Sequence, residues 1–300
     1  MTTALVLSGG GSLGAVQVGM LRALADRQVT PDLLVGTSVG ALNAAFVAGH
    51  GVTPAGVDAL AGVWRGLRTR SVFSVDVRYA VAALAGRRSA VLADRGLRHL
   101  LGAHLPFTRI EDAPVPLLVV ASDQLTGREV VLAAGDAVSG ILASCAIPAV
   151  FPAVEAAGTT LVDGGLANNT ALSVAVAAGA DTVYVLPTGY ACALPRPPRT
   201  PLGAALHALT LLTHQRLVAD LALYADQVDL IVLPPPCPLR TSPASFSRAP
   251  ELIERAHRDA RRALATTGVR RQQPDRVVAV HAHPVLRCPT TAPGHPVGSA

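Results

Sequence analysis

Lysine is absent from this chain of 300 residues, and all 25 of its basic side chains are arginines. That excludes Schiff-base chemistry, a Ser–Lys dyad and a phosphate-loop lysine. Aromatic residues make up only 3% of the sequence, so a core has to be assembled from Ala, Val and Leu. Half of the residues are apolar, which is enough for a sizeable one. Cysteine is scarce as well. Cys145, Cys192, Cys237 and Cys288 stand far apart with no C-x-x-C pair. This argues against a zinc site or a disulfide framework and fits a reducing compartment. The N-terminus shows neither a basic n-region nor an apolar run of signal length. The longest weakly charged stretch, 33–49, is broken by glycines and polar residues and does not read as a membrane span.

What is present is an alternation of short apolar runs with helical patterns. Strands are expected at 3–8, 32–35, 117–122, 129–132, 160–163, 182–186 and 230–233. Helices are expected at 14–27, 39–48, 204–224 and 251–265. Apolar strands interleaved with helices mean an α/β domain whose mostly parallel sheet is covered on both faces. One domain is expected over 1–268. A proline-bearing tail follows over 269–300, with Pro284, Pro289, Pro293 and Pro296, and is expected to be disordered in part. The segment 64–98 stands apart, carrying eight arginines against Asp76 and Asp94, with Val72, Phe73, Val75 and Tyr79 between them. It reads either as a solvated helical excursion or as a lid facing anionic headgroups.

Three motifs carry chemistry. Gly9-Gly10-Gly11-Ser12-Leu13-Gly14 follows the first strand and opens a helix. Such a loop turns tightly with its amides outward, and suits a pyrophosphate, an acyl-transfer oxyanion or simply a packing turn. Gly36-Thr37-Ser38-Val39-Gly40 lies between the second strand and its helix. This is the strand–turn–helix setting of a nucleophile elbow, Gly36 and Gly40 removing side chains that would clash; the plainer reading is a serine cap. Asp163-Gly164-Gly165 ends a strand, where α/β folds place catalytic groups, although an Asp-Gly turn alone would look the same.

Only 35 residues precede Gly36, too few for the several strands that come before the elbow of an ordinary α/β-hydrolase. Placing the glycine loop on the first strand and the elbow on the next brings both to one sheet edge. No histidine after Asp163 lies in a small-residue loop following a strand, so an Asp acting directly on Ser is the simpler plan.

The order of glycine-rich loop, G-x-S-x-G and D-G-G resembles that of the patatin-like phospholipase family. Asn169 matches that family's D-G-G-x-x-x-N pattern, with Ala171 where proline is often found, and 143–152 is similar to its block between elbow and aspartate. The likeness spans 4–186, and 230–265 is similar to the C-terminal part of bacterial single-domain members. It implies a three-layer α/β/α fold and a Ser38–Asp163 dyad. It also implies an oxyanion hole in the loop of Gly9, Gly10, Gly11, Ser12 and Gly14, the amides of Gly10 and Gly11 foremost, and no metal or other cofactor. Leu13 stands where family loops carry Arg or Lys. The expected substrate is a lipid or other carboxylic ester, handled in the cytoplasm or at a membrane periphery, with no nucleic-acid partner; no oligomeric state follows. Two other readings remain: a nucleotide-binding Rossmann-like domain, and a catalytically weak lipid-binding regulator on the same fold.

Overall fold

Strand β1 (Thr3–Leu7) shows how the molecule is layered. Leu5 and Leu7 point into one apolar cluster and Ala4 and Val6 into another, as the two-residue repeat of a strand requires. The sheet is therefore buried on both faces, and the three-layer α/β/α arrangement follows. The computed structural model describes residues 1–73, 79, 82, 85–87, 89–189, 197–199, 201–237, 239, 241 and 243–266. The expected tail at 269–300 lies outside them, as do Val75, Asp76, Cys192 and Cys288.

Eight strands form one sheet in the order β5-β6-β3-β2-β1-β7-β8, with β4 paired to β3. Here β2 is Leu33–Thr37, β3 Leu117–Asp123, β4 Glu129–Leu132, β5 Val154–Ala156, β6 Thr159–Asp163, β7 Thr182–Leu186 and β8 Asp229–Val232. The run β3-β2-β1-β7-β8 is parallel throughout. Strands β4 and β6 run against β3, and β5 against β6. Thus the sheet is mostly parallel, with an antiparallel corner that carries Asp163.

Helices α1 (Gly14–Asp26), α2 (Val39–His50) and α3 (Pro54–Gly66) cover one face with the helices Ala137–Ser144 and Ala249–Thr266. On the other face lie the helix Leu172–Ala177 and the long helix Pro201–Tyr224. Small residues let these layers approach closely. A Cβ on Gly19 of α1 would lie 2.2 Å from the Ile253 carbonyl of the helix Ala249–Thr266. No helix among the described residues is long and apolar enough to cross a membrane.

Candidate active site

Ser38 occupies the turn between β2 and α2 with φ 54° and ψ −126°, a conformation that a side chain rarely adopts. Such strain costs roughly 1–3 kcal/mol and persists only where the surroundings enforce it. They do so here. A Cβ on Gly36 would lie 2.4 Å from the Ala41 Cα, and one on Gly40 would lie 2.1 Å from the Leu7 carbonyl oxygen. The Ser38 amide donates to Ser144 Oγ at 2.7 Å, and that hydroxyl donates in turn to the Val120 carbonyl at 2.5 Å. The Ser38 carbonyl accepts from the Ala41 amide at 2.8 Å, starting α2.

Asp163 arrives on β6, opposite Ala121 of β3. Because β6 runs against β3, its last residue comes level with Ala121, next to the Val120 that pairs with Thr37 at the end of β2. The Ser38 hydroxyl donates to Asp163 Oδ2 at 2.7 Å, and the Gly165 amide donates to Oδ1 at 2.8 Å. The main chain of Asp163 is held too: its carbonyl accepts from Ser122 Oγ at 2.9 Å and its amide donates to the Ala146 carbonyl at 3.0 Å. A Cβ on Gly164 would lie 2.1 Å from the Val120 carbonyl oxygen, so the strands meet there without a side chain. Ser38 and Asp163 are only 6% and 7% exposed. Burial pushes the Asp163 carboxyl up to about 6, against the opposing pull of the Ser38 and Gly165 hydrogen bonds. Burial, and then the negative charge of Asp163, also push the neighbouring Cys145 thiol up, which keeps it protonated.

The glycine loop lies directly over this pair. A Cβ on Gly9 would come within 2.4 Å of Asn169 Oδ1 and 3.2 Å of Ser38 Cβ. The Gly9 amide donates to the Asn169 carbonyl at 3.1 Å and the Ser12 amide to the Pro243 carbonyl at 2.7 Å, while the Gly14 amide turns back to the Gly11 carbonyl. Among the described residues no protein acceptor takes the amides of Gly10 and Gly11. Gly11 sits at φ 59°, with the Pro243 carbonyl oxygen only 2.6 Å from where its Cβ would be. Below the loop, Gln17 Nε2 donates to the carbonyls of Ser8 and Leu186 at 2.8 and 3.0 Å. Asn43 Nδ2 donates to the Gly14 carbonyl and to Gln17 Oε1, and Asn43 Oδ1 accepts from Trp64 Nε1. This buried network ties the loop to α2. Leu13, at the position of a basic residue in the likeness, is partly buried against the core.

An apolar cleft opens from Ser38, bounded by Val39, Leu42, Trp64, Phe73, Phe151 and Phe246 among others. The arginine-rich segment contributes to its wall. Trp64, Leu67, Val72, Phe73 and Leu97 face the cleft, while Arg65, Arg68, Arg70, Arg95 and Arg98 are exposed. None of the described histidines lines the cleft; His257, for one, pairs with Asp26 at 2.7 Å. Among the described residues no three His, Cys, Asp or Glu side chains gather to hold a metal ion. Sequence reasoning assigned no part to Ser122, Ser144 or Pro243, nor to Thr188, whose hydroxyl donates to the Gly9 carbonyl at 2.6 Å. Ser144 falls within the 143–152 block, but the partner of each lies far along the chain, so spacing carries no signal of its role.

The patatin-like phospholipase family model matches residues 5–176, more than half of the chain. Lysophospholipase NTE1 of Mycosarcoma maydis is 29% identical over 196 residues, which is 63% of this chain and 10% of that protein. Patatin-like phospholipase domain-containing protein 7 of Mus musculus is 28% identical over 190 residues, 62% of this chain and 13% of that protein. The chain thus spans little more than a tenth of the length of these two relatives. Among solved structures, VipD from Legionella pneumophila matches 88% of this chain and 67% of its own, at 14% identity and a TM-score of 0.45.

Proposed function

The chain belongs to the patatin-like phospholipase family, and from that premise we propose that it is a lipid acyl hydrolase working through Ser38 and Asp163. One observation carries the reading: a serine hydroxyl on a strained elbow donates at 2.7 Å to a buried carboxylate, with no histidine among the described residues that line the cleft beside them. With its pKa near 6, Asp163 is ionised at neutral pH yet more basic than a solvated carboxylate.

The steps follow from that placement. Asp163 takes the hydroxyl proton as Ser38 Oγ attacks the ester carbonyl carbon. Negative charge developing on the carbonyl oxygen is met by the amides of Gly10 and Gly11, the two in the loop with no protein acceptor among the described residues. Collapse of the tetrahedral intermediate breaks the ester C–O bond, and Asp163 returns its proton to the leaving alcohol. Water then gives a proton to Asp163 and attacks the acyl-enzyme, releasing a carboxylic acid and restoring Ser38. The apolar cleft suits an acyl chain, and the exposed arginines beside it suit contact with an anionic lipid surface. The relatives' names make lysophospholipids the first natural substrates to test.

The nucleotide-binding alternative needs an acid at the end of β2 to hold ribose. That strand ends on Thr37, and Asp32 sits before its other end, accepting the Thr3 amide at 2.8 Å. Hydrolysis of p-nitrophenyl esters, phospholipids and lysophospholipids by wild type, Ser38→Ala and Asp163→Asn separates enzyme from regulator. The wild type is expected to turn over at least one class, with each variant slowed by roughly a thousandfold or more. Undiminished turnover by Ser38→Ala would end the proposal.

A further inference from the structure

In a chain with five phenylalanines and one tryptophan, four of these six rings, Trp64, Phe73, Phe151 and Phe246, border the cleft that opens from Ser38. They form a continuous series. Trp64 lies 5.8 Å from Phe246 by ring centroid, Phe246 lies 6.0 Å from Phe73, and Phe73 lies 5.7 Å from Phe151. Three come from within the family-matched segment; Phe246 comes from well beyond its end at 176. Its stretch of chain is fixed at three successive points. The Pro243 carbonyl accepts the Ser12 amide, the Ala244 carbonyl accepts the Thr69 hydroxyl at 3.3 Å, and the Phe246 carbonyl accepts the Ala249 amide at 3.1 Å, at the start of the helix Ala249–Thr266. Phe246 itself is buried.

We infer that Phe246, wedged between Trp64 and Phe73, is the wall that sets how long an acyl chain this site accepts; the inference rests on the hydrolase reading above. An apolar cleft gains with each methylene it can cover, about fourfold in kcat/KM per carbon. The gain stops where the next carbon meets a group that cannot move aside. A phenyl ring packed between two others and held by a backbone anchored on both sides is such a group, whereas a leucine could turn away. The same strap claims the Ser12 amide, so the residues that limit the chain also brace the loop above Ser38. The residue that limits chain length therefore comes from outside the family-matched segment 5–176, while the rings that hold it come from inside.

The test is the rate profile over p-nitrophenyl esters of graded length, for wild type, Phe246→Ala and Phe246→Trp. Phe246→Ala is expected to move the optimum to longer esters, raising by roughly tenfold or more the ratio of kcat/KM on those just beyond the wild-type limit to kcat/KM on the shortest ester. Phe246→Trp, which keeps the ring packing, is expected to move the optimum to shorter esters. Profiles that keep the wild-type optimum in the folded variants, or that fall uniformly at every length, overturn the inference while leaving the hydrolase reading intact. A wild type that cleaves no ester and takes no serine-directed label at Ser38 overturns both.

Discussion

At Asp163, burial raises the carboxyl to about 6, and the Ser38 hydroxyl and Gly165 amide offset it only in part. An unfolded chain ionises the same group near 3.8. Between those values the folded protein holds a proton that the unfolded chain has released. Stability therefore falls as pH rises through that window, and above it the buried charge costs the fold on the order of 3 kcal/mol. Asp163→Asn is expected to melt higher than wild type at pH 8, to converge with it near pH 4, and to lose hydrolysis. Thermal melts at the two pH values decide the matter, and a variant that melts lower at pH 8 contradicts this. On the proposed mechanism the same group sets the rate, so kcat/KM is expected to fall about tenfold per pH unit below about 6 as Asp163 is protonated. Ser38 and Asp163 were legible in the sequence because the glycines beside them record a backbone requirement. Ser144, which holds the Ser38 amide from 106 positions away, left no such mark.

Among the elements, β1, β2 and α2 place Ser38, and their closeness depends on Gly40. A Cβ there would lie 2.1 Å from the Leu7 carbonyl oxygen and 2.6 Å from that of Ser8, both backbone atoms with no freedom to yield. Gly40→Ala is expected to destabilise the protein by about 3 kcal/mol, read as a lower urea midpoint, and to slow reaction at Ser38 by displacing the elbow from the glycine loop. An unchanged midpoint would mean that the elbow is not tightly packed. Long apolar strands were easily read, down to the limits of β4 and β7. Strand β5 was missed because three residues, Val154–Ala156, carry too little pattern to count. The reversed direction of β6 was also hidden. It is set by a turn through Ala157 and Gly158 at φ 51° and 76°, and the alanine gives no sign of that conformation. The mostly parallel sheet was foreseen; the antiparallel corner that delivers Asp163 was not.

Over the whole molecule, the family-matched segment ends at 176, yet β7 pairs with β1 along its full length and β8 pairs with β7. Beyond them, Leu252, Ile253, Ala256 and Ala260 of the helix Ala249–Thr266 lie in the cluster that covers α1. Removing everything after 176 exposes one edge of β1 and the outer face of α1 together. A fragment of residues 1–176 is expected to be unfolded or aggregated, checked by far-UV circular dichroism and protease resistance; a cooperatively folding fragment would contradict the single domain read from the sequence over 1–268. The arginine-rich segment was the least legible part, because charge pattern alone could not show that Trp64, Leu67, Val72, Phe73 and Leu97 turn inward to the cleft. The central claim, that Ser38 is made reactive by Asp163, is tested most directly by mapping the adduct of a fluorophosphonate probe by mass spectrometry across a pH series. A single adduct on Ser38, rising with a midpoint near pH 6 and nearly lost in Asp163→Asn, is the predicted result; an adduct on another serine, or labelling that ignores both pH and Asp163, would contradict it.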